Sequence, residues 1–302
     1  MKPIQSGFTL VEIAIVLLIV GILLGYTVAL FPRQQELKQY RAVERQMDQV
    51  IEAIIGFAQV NGRLPCPAQP DAAGIEDTAL VGIDIVGCNN YGGFVPVNTL
   101  GLDGRFNADS LLIDPWGNPY RYYVTDADFQ PRPVGTPGGD NDISDFTAPG
   151  EMRAVGLVDT DGDGYIDLDG RYLICDSAST IASSCSVANS TVFGKFNGNG
   201  PPADRYAGAP FVLLSMGKNW NEPDQSVHED ENSGDQTTST LGMADGPSGI
   251  VYRLKDVSGI AVAGNDATTF VKRPFADGFD DVVRWVSPSL LFSRMIAADQ
   301  LP

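Results

Sequence analysis

Basic residues are scarce in this chain. Its 302 residues include 20 Lys plus Arg against 38 Asp plus Glu, a formal charge of −18. That balance argues against a nucleic-acid surface, which needs a basic face. Histidine is scarcer still. His228 is the only one, and it sits among acids in a polar stretch, where an exposed imidazole is the plain reading. A Ser-His-Asp site would have to use that one residue, and no G-x-S-x-G motif accompanies it. The Gly-rich stretch from Gly194 to Gly200 lacks the Lys and Ser/Thr of a phosphate loop. With no C-x-x-C pair, neither a redox motif nor a zinc ribbon is legible. The expectation is a protein that is not an enzyme.

Glycine (33) and proline (20) are plentiful while charged residues make up 19%, a composition that reads as loop-rich and globular rather than disordered. The length suffices for one large domain or two small ones. Four cysteines in an exported chain suggest two disulfides, with three connectivities. Sequential pairing, Cys66–Cys88 and Cys175–Cys185, is the simplest; free buried thiols are the alternative.

Long apolar runs are absent except at the start. From Phe8 to Phe31 the chain is apolar almost without pause, and 24 residues of helix reach about 36 Å, enough for a hydrocarbon core of about 30 Å. A secretory signal would be shorter and would be followed by a small-residue cleavage site. Lys2 favours a cytoplasmic N-terminus. Glu12 interrupts the run, and a carboxylate in such a span needs a partner or a task. Were the chain cut after Gly7, the new amine of Phe8 would lie within helical reach of Glu12; in a filament the carboxylate could neutralise a neighbour's amine instead. A tolerated Glu in an ordinary anchor is the bland alternative. Beyond Pro32, Leu37, Tyr40, Val43, Met47, Val50, Ile51, Ile54 and Ala58 recur at three- and four-residue steps, which predicts an amphipathic helix to about residue 60.

Gly7-Phe8-Thr9-Leu10-Val11-Glu12, followed by that helix, resembles the processing motif of type IV prepilins and type II secretion pseudopilins. The resemblance implies that a membrane prepilin peptidase cuts between Gly7 and Phe8 and methylates Phe8. Glu12 would then be the assembly carboxylate. It also implies a place in the bacterial inner membrane with the head in the periplasm, and then in a pilus or pseudopilus built from other pilin subunits by a separate assembly machinery. Many relatives carry a proline at what is Ala29 here, whereas this chain has Pro32. The division expected is a leader at 1–7, a transmembrane and filament-core helix at 8–31, an amphipathic helix at 32–60 and a head at 61–302.

Turn residues crowd in after Asn61. Strand patterns fall at Tyr120–Val124, Arg171–Cys175, Phe211–Ser215, Ile250–Leu254 and Asp281–Val286. Ser287 and Pro288 open a closing helix with Leu290, Leu291, Met295 and Ile296 as its apolar face. The fold expected is α+β: a long N-terminal helix packed on an antiparallel, pilin-like sheet with a loop-rich insertion at about 126–209. Asp114-Pro115-Trp116-Gly117 resembles the signature of major pseudopilins; it reads as a turn feeding a strand, with Trp116 as a core plug. Ser215-Met216-Gly217 resembles the family's Ser-x-Gly segment, which there leads into a calcium loop.

Three acidic stretches are candidates for a cation. Asp159, Asp161 and Asp163, with Gly164 and the carbonyl of Tyr165, match the first half of an EF-hand loop, and Asp167 or Asp169 could complete a Ca²⁺ site. Gly170 stands where the bidentate Glu belongs, and a solvated acidic turn is the alternative. Asp224, Glu229, Asp230, Glu231 and Asp235 occupy the place of the calcium loop in major pseudopilins; spacing favours a solvated loop there. Asp140, Asn141, Asp142 and Asp145 make a poorer cluster. The resulting reading is a structural subunit, minor or accessory given the size of its head. A membrane-tethered, calcium-dependent binding module or enzyme on a pilin-type anchor is the rival.

Overall fold

Helix α1 runs from Leu10 to Asn61, 52 residues, and continues through position 32. The computed structural model describes residues 9–81, 85–126, 144–157, 170, 172–175, 208–219, 229, 232, 242–245, 247–254, 269–276 and 278–302. Two compact units meet in sequence at Arg45 and Gln46. In the first, the apolar side chains from Leu10 to Leu24 are exposed. Their stretch is about 22 Å long at 1.5 Å per residue. Among the described residues no helix is long and apolar enough to cross a membrane; the side chains of 25–33 lie outside that set.

The second unit begins with the end of α1. Met47, Val50, Ile51, Ile54, Ile55 and Ala58 are buried, the three- and four-residue steps of one helix face. Gly62 ends the helix at φ +67°, its N–H donating to the Ala58 carbonyl at 2.8 Å. A left-handed residue here closes the last turn, a position that favours glycine. The following elements are β1 (Thr78–Val81), β2 (Ile85–Cys88), β3 (Gly92–Phe94), α2 (Val97–Leu100), β4 (Arg121–Val124), α3 (Glu151–Val155), β5 (Leu173–Cys175), β6 (Phe211–Ser215), β7 (Gly242–Asp245), β8 (Val251–Leu254), β9 (Thr269–Val271), β10 (Val282–Trp285) and α4 (Pro288–Ala297).

The main sheet is antiparallel in the order β10-β6-β4-β3. Register sorts its side chains. Tyr122, Leu213 and Arg284 are cross-strand partners and share one face. On that face the Tyr122 hydroxyl donates to the Pro65 carbonyl at 3.0 Å, and Arg284 pairs with Asp48 of α1. The other face carries Tyr123, Val212, Leu214 and Val283, packed with Tyr172, Ile174 and Phe270. Those last three come from β5, its approach, and β9, which pair in parallel. The insertion and the segment before β10 together lay a second layer over the sheet, and every residue of β4 and β6 is buried. A strand covered on both sides reads as an unbroken apolar run, as Phe211-Val212-Leu213-Leu214 does.

Cys66 and Cys88 are joined by a disulfide across 22 residues. Cys175 lies in β5 and Cys185 lies outside the described residues. Arg63 grips Glu76 through two contacts, 2.8 and 2.7 Å, and Glu76 also accepts the Cys66 N–H at 3.0 Å. Two expectations need correction. Trp116 is only half-buried; Tyr120, Tyr122 and Tyr123 fill the core beside it. The buried face of α4 is Leu291, Phe292 and Met295, while Leu290 and Ile296 are exposed. Ser287 does cap α4, accepting the Leu290 N–H at 3.1 Å. Rotating the face by one residue brings Phe292 against Phe146, ring centroids 6.5 Å apart. Deleting a buried aromatic ring costs about 3–5 kcal/mol and an exposed surface change under about 0.5 kcal/mol. Urea unfolding should therefore show Phe292→Ala losing several kcal/mol and Leu290→Ala almost none. Equal losses would place both residues on the buried side.

Candidate metal centre and N-terminal motif

Asp114 is where the first signature acts. Its Oδ1 accepts the N–H groups of Trp116, Gly117 and Asn118, each at 2.9 Å, and its Oδ2 accepts the Ser215 hydroxyl at 2.8 Å. Burial raises its pKa, opposed by those same bonds. The Asn118 amide donates to the Gly217 carbonyl. The Asp-Pro-Trp-Gly turn and the Ser-Met-Gly segment are thus one structure, and it aims the chain after Gly217 at the start of β10. Gly217 has φ +63°, and a Cβ there would collide with Asp280, side chain and backbone alike. Only glycine tolerates that approach.

Three carboxylates converge at this point. Glu229, Asp280 and Asp281 each place an oxygen within 4.8 Å of the others. Asp280 Oδ2 accepts the Lys218 N–H at 2.7 Å, and Glu229 Oε1 accepts the Asp280 N–H at 2.9 Å. The Asn232 amide donates to Asp281 Oδ2 at 3.0 Å. Glu229 and Asp281 are 1% and 2% exposed, yet Asp280 Oδ1 and Asp281 Oδ1 accept no hydrogen bond. Arg121 lies on the same face of the sheet, fully buried, its guanidinium 5.7 Å from the Phe94 ring. Burial lowers its pKa, against the pull of Tyr123 and Asp281. Desolvation pushes Asp281 well up, helped by Glu229 and Asp280 and opposed by Asn232 and Arg121. Asp280 is pushed up to about 6, mainly by desolvation.

This donor set fits a metal ion. The oxygens are hard and anionic, two of them lack any donor, and three negative charges face one Arg, so a divalent cation would neutralise the group. Hard oxygen ligands suit Ca²⁺ or Mg²⁺ without choosing between them.

Of the acidic stretch around Glu229, the expectation of a solvated loop is corrected for Glu229 itself, which is buried. Asp224, Asp230, Glu231, Asp235 and His228 lie outside the described residues, as do Asp140, Asn141 and Asp142. Asp145 is buried. The EF-hand-like set of Asp159, Asp161, Asp163, Tyr165, Asp167 and Asp169 also lies outside them. Sequence reasoning passed over Asp280 and Asp281 as ligands. The signal was two adjacent acids set directly against an apolar strand.

At the other end of the chain, Thr9 and Glu12 form a capping box. Glu12 N–H donates to Thr9 Oγ1 at 3.3 Å, and Thr9 N–H donates to Glu12 Oε2 at 3.0 Å. The Ser/Thr-x-x-Glu spacing is the sequence signal for it, satisfying two helix-start donors at once. Gly7 and Phe8 lie outside the described residues. Residues 2–28 match the family described as the prokaryotic N-terminal methylation motif, the signature of type IV prepilins and pseudopilins. No curated protein and no solved structure matches the chain.

The raised carboxylates at 280 and 281 set a pH dependence. A carboxyl that holds its proton more tightly in the fold favours folding while protonated. Its contribution is full below the ordinary value near 3.8 and is lost as pH rises through about 6 for Asp280. In a chelator, the melting temperature should fall across that window, and Asp280→Asn should flatten the fall. An unchanged slope in the variant would mean that Asp280 titrates as an ordinary carboxyl.

Proposed function

From a chain that carries the N-terminal methylation motif, we propose a structural subunit, minor or accessory, of a type IV pilus or type II secretion pseudopilus. The observation that carries the reading is the motif at 2–28 continuing into an exposed apolar helix that leads to a folded head. Prepilin peptidase cuts between Gly7 and Phe8 and methylates Phe8. The helix sits in the bacterial inner membrane with the head in the periplasm, then passes into a filament beside other subunits. Glu12 is the assembly carboxylate. Its capping box with Thr9 supports this role by fixing where the carboxylate stands in the first turn.

The head acts without catalysis. Its carboxylate centre takes Ca²⁺ as a structural ion through Glu229, Asp280 and Asp281, which supplies charge neutralisation and nothing more. The same centre favours the rival reading, a tethered calcium-dependent module. Sheared surface fractions separate the two: a subunit travels with filaments, and a tethered module stays with membranes.

Intact mass of the protein from cells should show loss of seven residues and one added methyl group. A mature chain that still begins at Met1 would overturn the processing. Glu12→Val should leave insertion and cleavage intact while incorporation into filaments drops about tenfold or more, as loss of a buried charge pairing implies. Normal incorporation would make the carboxylate dispensable.

A further inference from the structure

Strand β9 has two edges, and among the described residues one of them is paired with another strand. Its parallel partner β5 takes one side. At Val271 the other edge is taken by a side chain. The Val271 N–H donates to Asn232 Oδ1 at 2.6 Å, and the Asn232 amide donates to the Val271 carbonyl at 2.9 Å. A residue's own N–H and C=O point to the same strand edge, and a primary amide presents an acceptor and a donor side by side. At Val271, Asn232 therefore makes the two bonds that a neighbouring strand would make. The same amide nitrogen donates to Asp281 Oδ2 at 3.0 Å, so one buried residue bonds both the second layer and the carboxylate centre. Val271 follows Phe270, whose ring lies 5.2 Å from Tyr123 of the main sheet and 5.6 Å from Tyr172.

We propose that Asn232 makes the carboxylate centre a clasp between the two layers: a divalent cation on Glu229, Asp280 and Asp281 fixes β9 against the sheet. This rests on the reading of the centre as a cation site. Two observations support it besides the cluster itself. Asp281 is 2% exposed with an Oδ1 that accepts no hydrogen bond, which leaves an oxygen for an ion. Its other oxygen is the one held by Asn232, so an ion that settles Asp281 also settles the amide and, through it, Val271. Without the ion, three facing carboxylates repel one another beside the side chain that holds the outer edge of β9 at Val271. Asn232 is thus a positioning residue, acting on the second layer through Asp281.

Hydrogen exchange on the full chain in detergent micelles, with disulfides intact, tests this. Exchange is followed by mass spectrometry in a chelator and in millimolar calcium chloride, with calorimetry of calcium uptake in parallel. Calcium should slow exchange at 269–271 by about tenfold or more and leave 121–124 unchanged, since local opening and core opening are separate events. Asn232→Ala should still take up calcium but lose the calcium-dependent slowing at 269–271. If the wild-type chain takes up no calcium, or if Asp281→Asn takes it up unchanged, the centre itself is overturned. Uptake by the wild type without slowing at 269–271 overturns the clasp alone. Slowing that persists in Asn232→Ala overturns the role of Asn232. Should that variant fail to fold, the wild-type comparison still decides the clasp.

Discussion

Tyr122 sends its hydroxyl to the Pro65 carbonyl on one side of the main sheet, while Tyr123, the next residue, packs on Phe270 on the other. That alternation within β4 is the constraint on which the head depends. Neither face can meet water, because Leu213 and Tyr122 fill one and Val212, Leu214 and Val283 fill the other. One cover is the end of α1. The second is the β5–β9 pair, contributed by the insertion and the segment before β10. A sheet with helix on one side and solvent on the other would have needed polar alternation along β6, and Phe211-Val212-Leu213-Leu214 offers none.

Covering the second face creates an electrostatic difficulty at its margin. Arg121 is on that face and fully buried, and Asp281 enters the same layer just before β10. A buried Arg beside one carboxylate is tolerable when hydrogen bonds complete it. Here Glu229 and Asp280 add two more negative charges, and neither Asp280 Oδ1 nor Asp281 Oδ1 finds a donor. The signature turn makes this crowding unavoidable: Asp114 fixes Ser215, Asn118 fixes Gly217, and Gly217 gives Asp280 its place. A motif that is structural in itself therefore positions the one group of side chains in the described head with ligand chemistry.

Much of this was legible along the chain wherever the cause was local. Phe211–Ser215 announces itself as a strand by its unbroken apolar run, and Ser287-Pro288 announces a helix start by capping chemistry. Local signals failed where burial is decided by a distant partner. Phe292 rather than Leu290 faces inward because Phe146, far back in sequence, lies there. Trp116 stays half-exposed while Tyr120, Tyr122 and Tyr123 are the large rings buried nearby in sequence. β9 has three residues and no alternation of its own, and its order comes from β5 and Asn232. The parallel pairing of β5 with β9 likewise lay beyond a reading that expected one antiparallel sheet and a loop-rich insertion. Glu229 looked solvated among its acidic neighbours, since nothing in its vicinity names Asp280 and Asp281, about fifty residues onward, as its companions. The Thr9-x-x-Glu12 cap is different, since its Ser/Thr-x-x-Glu spacing is wholly local.

The two ends of α1 obey opposite rules, and that contrast is the strongest physical support for a tethered, assembling subunit. From Met47 to Ala58 apolar side chains occupy one face and are buried, as a helix packed on its own domain requires. From Leu10 to Leu24 they occupy all faces and are exposed. Burying a single Leu or Ile contributes about 1.5–3 kcal/mol, so leaving this whole stretch in water would cost far more than the stability of a typical domain, about 5–15 kcal/mol. Such a segment calls for apolar surroundings in place of water. The methylation motif covers this segment, with Glu12 capped rather than bare, and the proposed subunit role would supply the apolar surroundings that such a helix calls for.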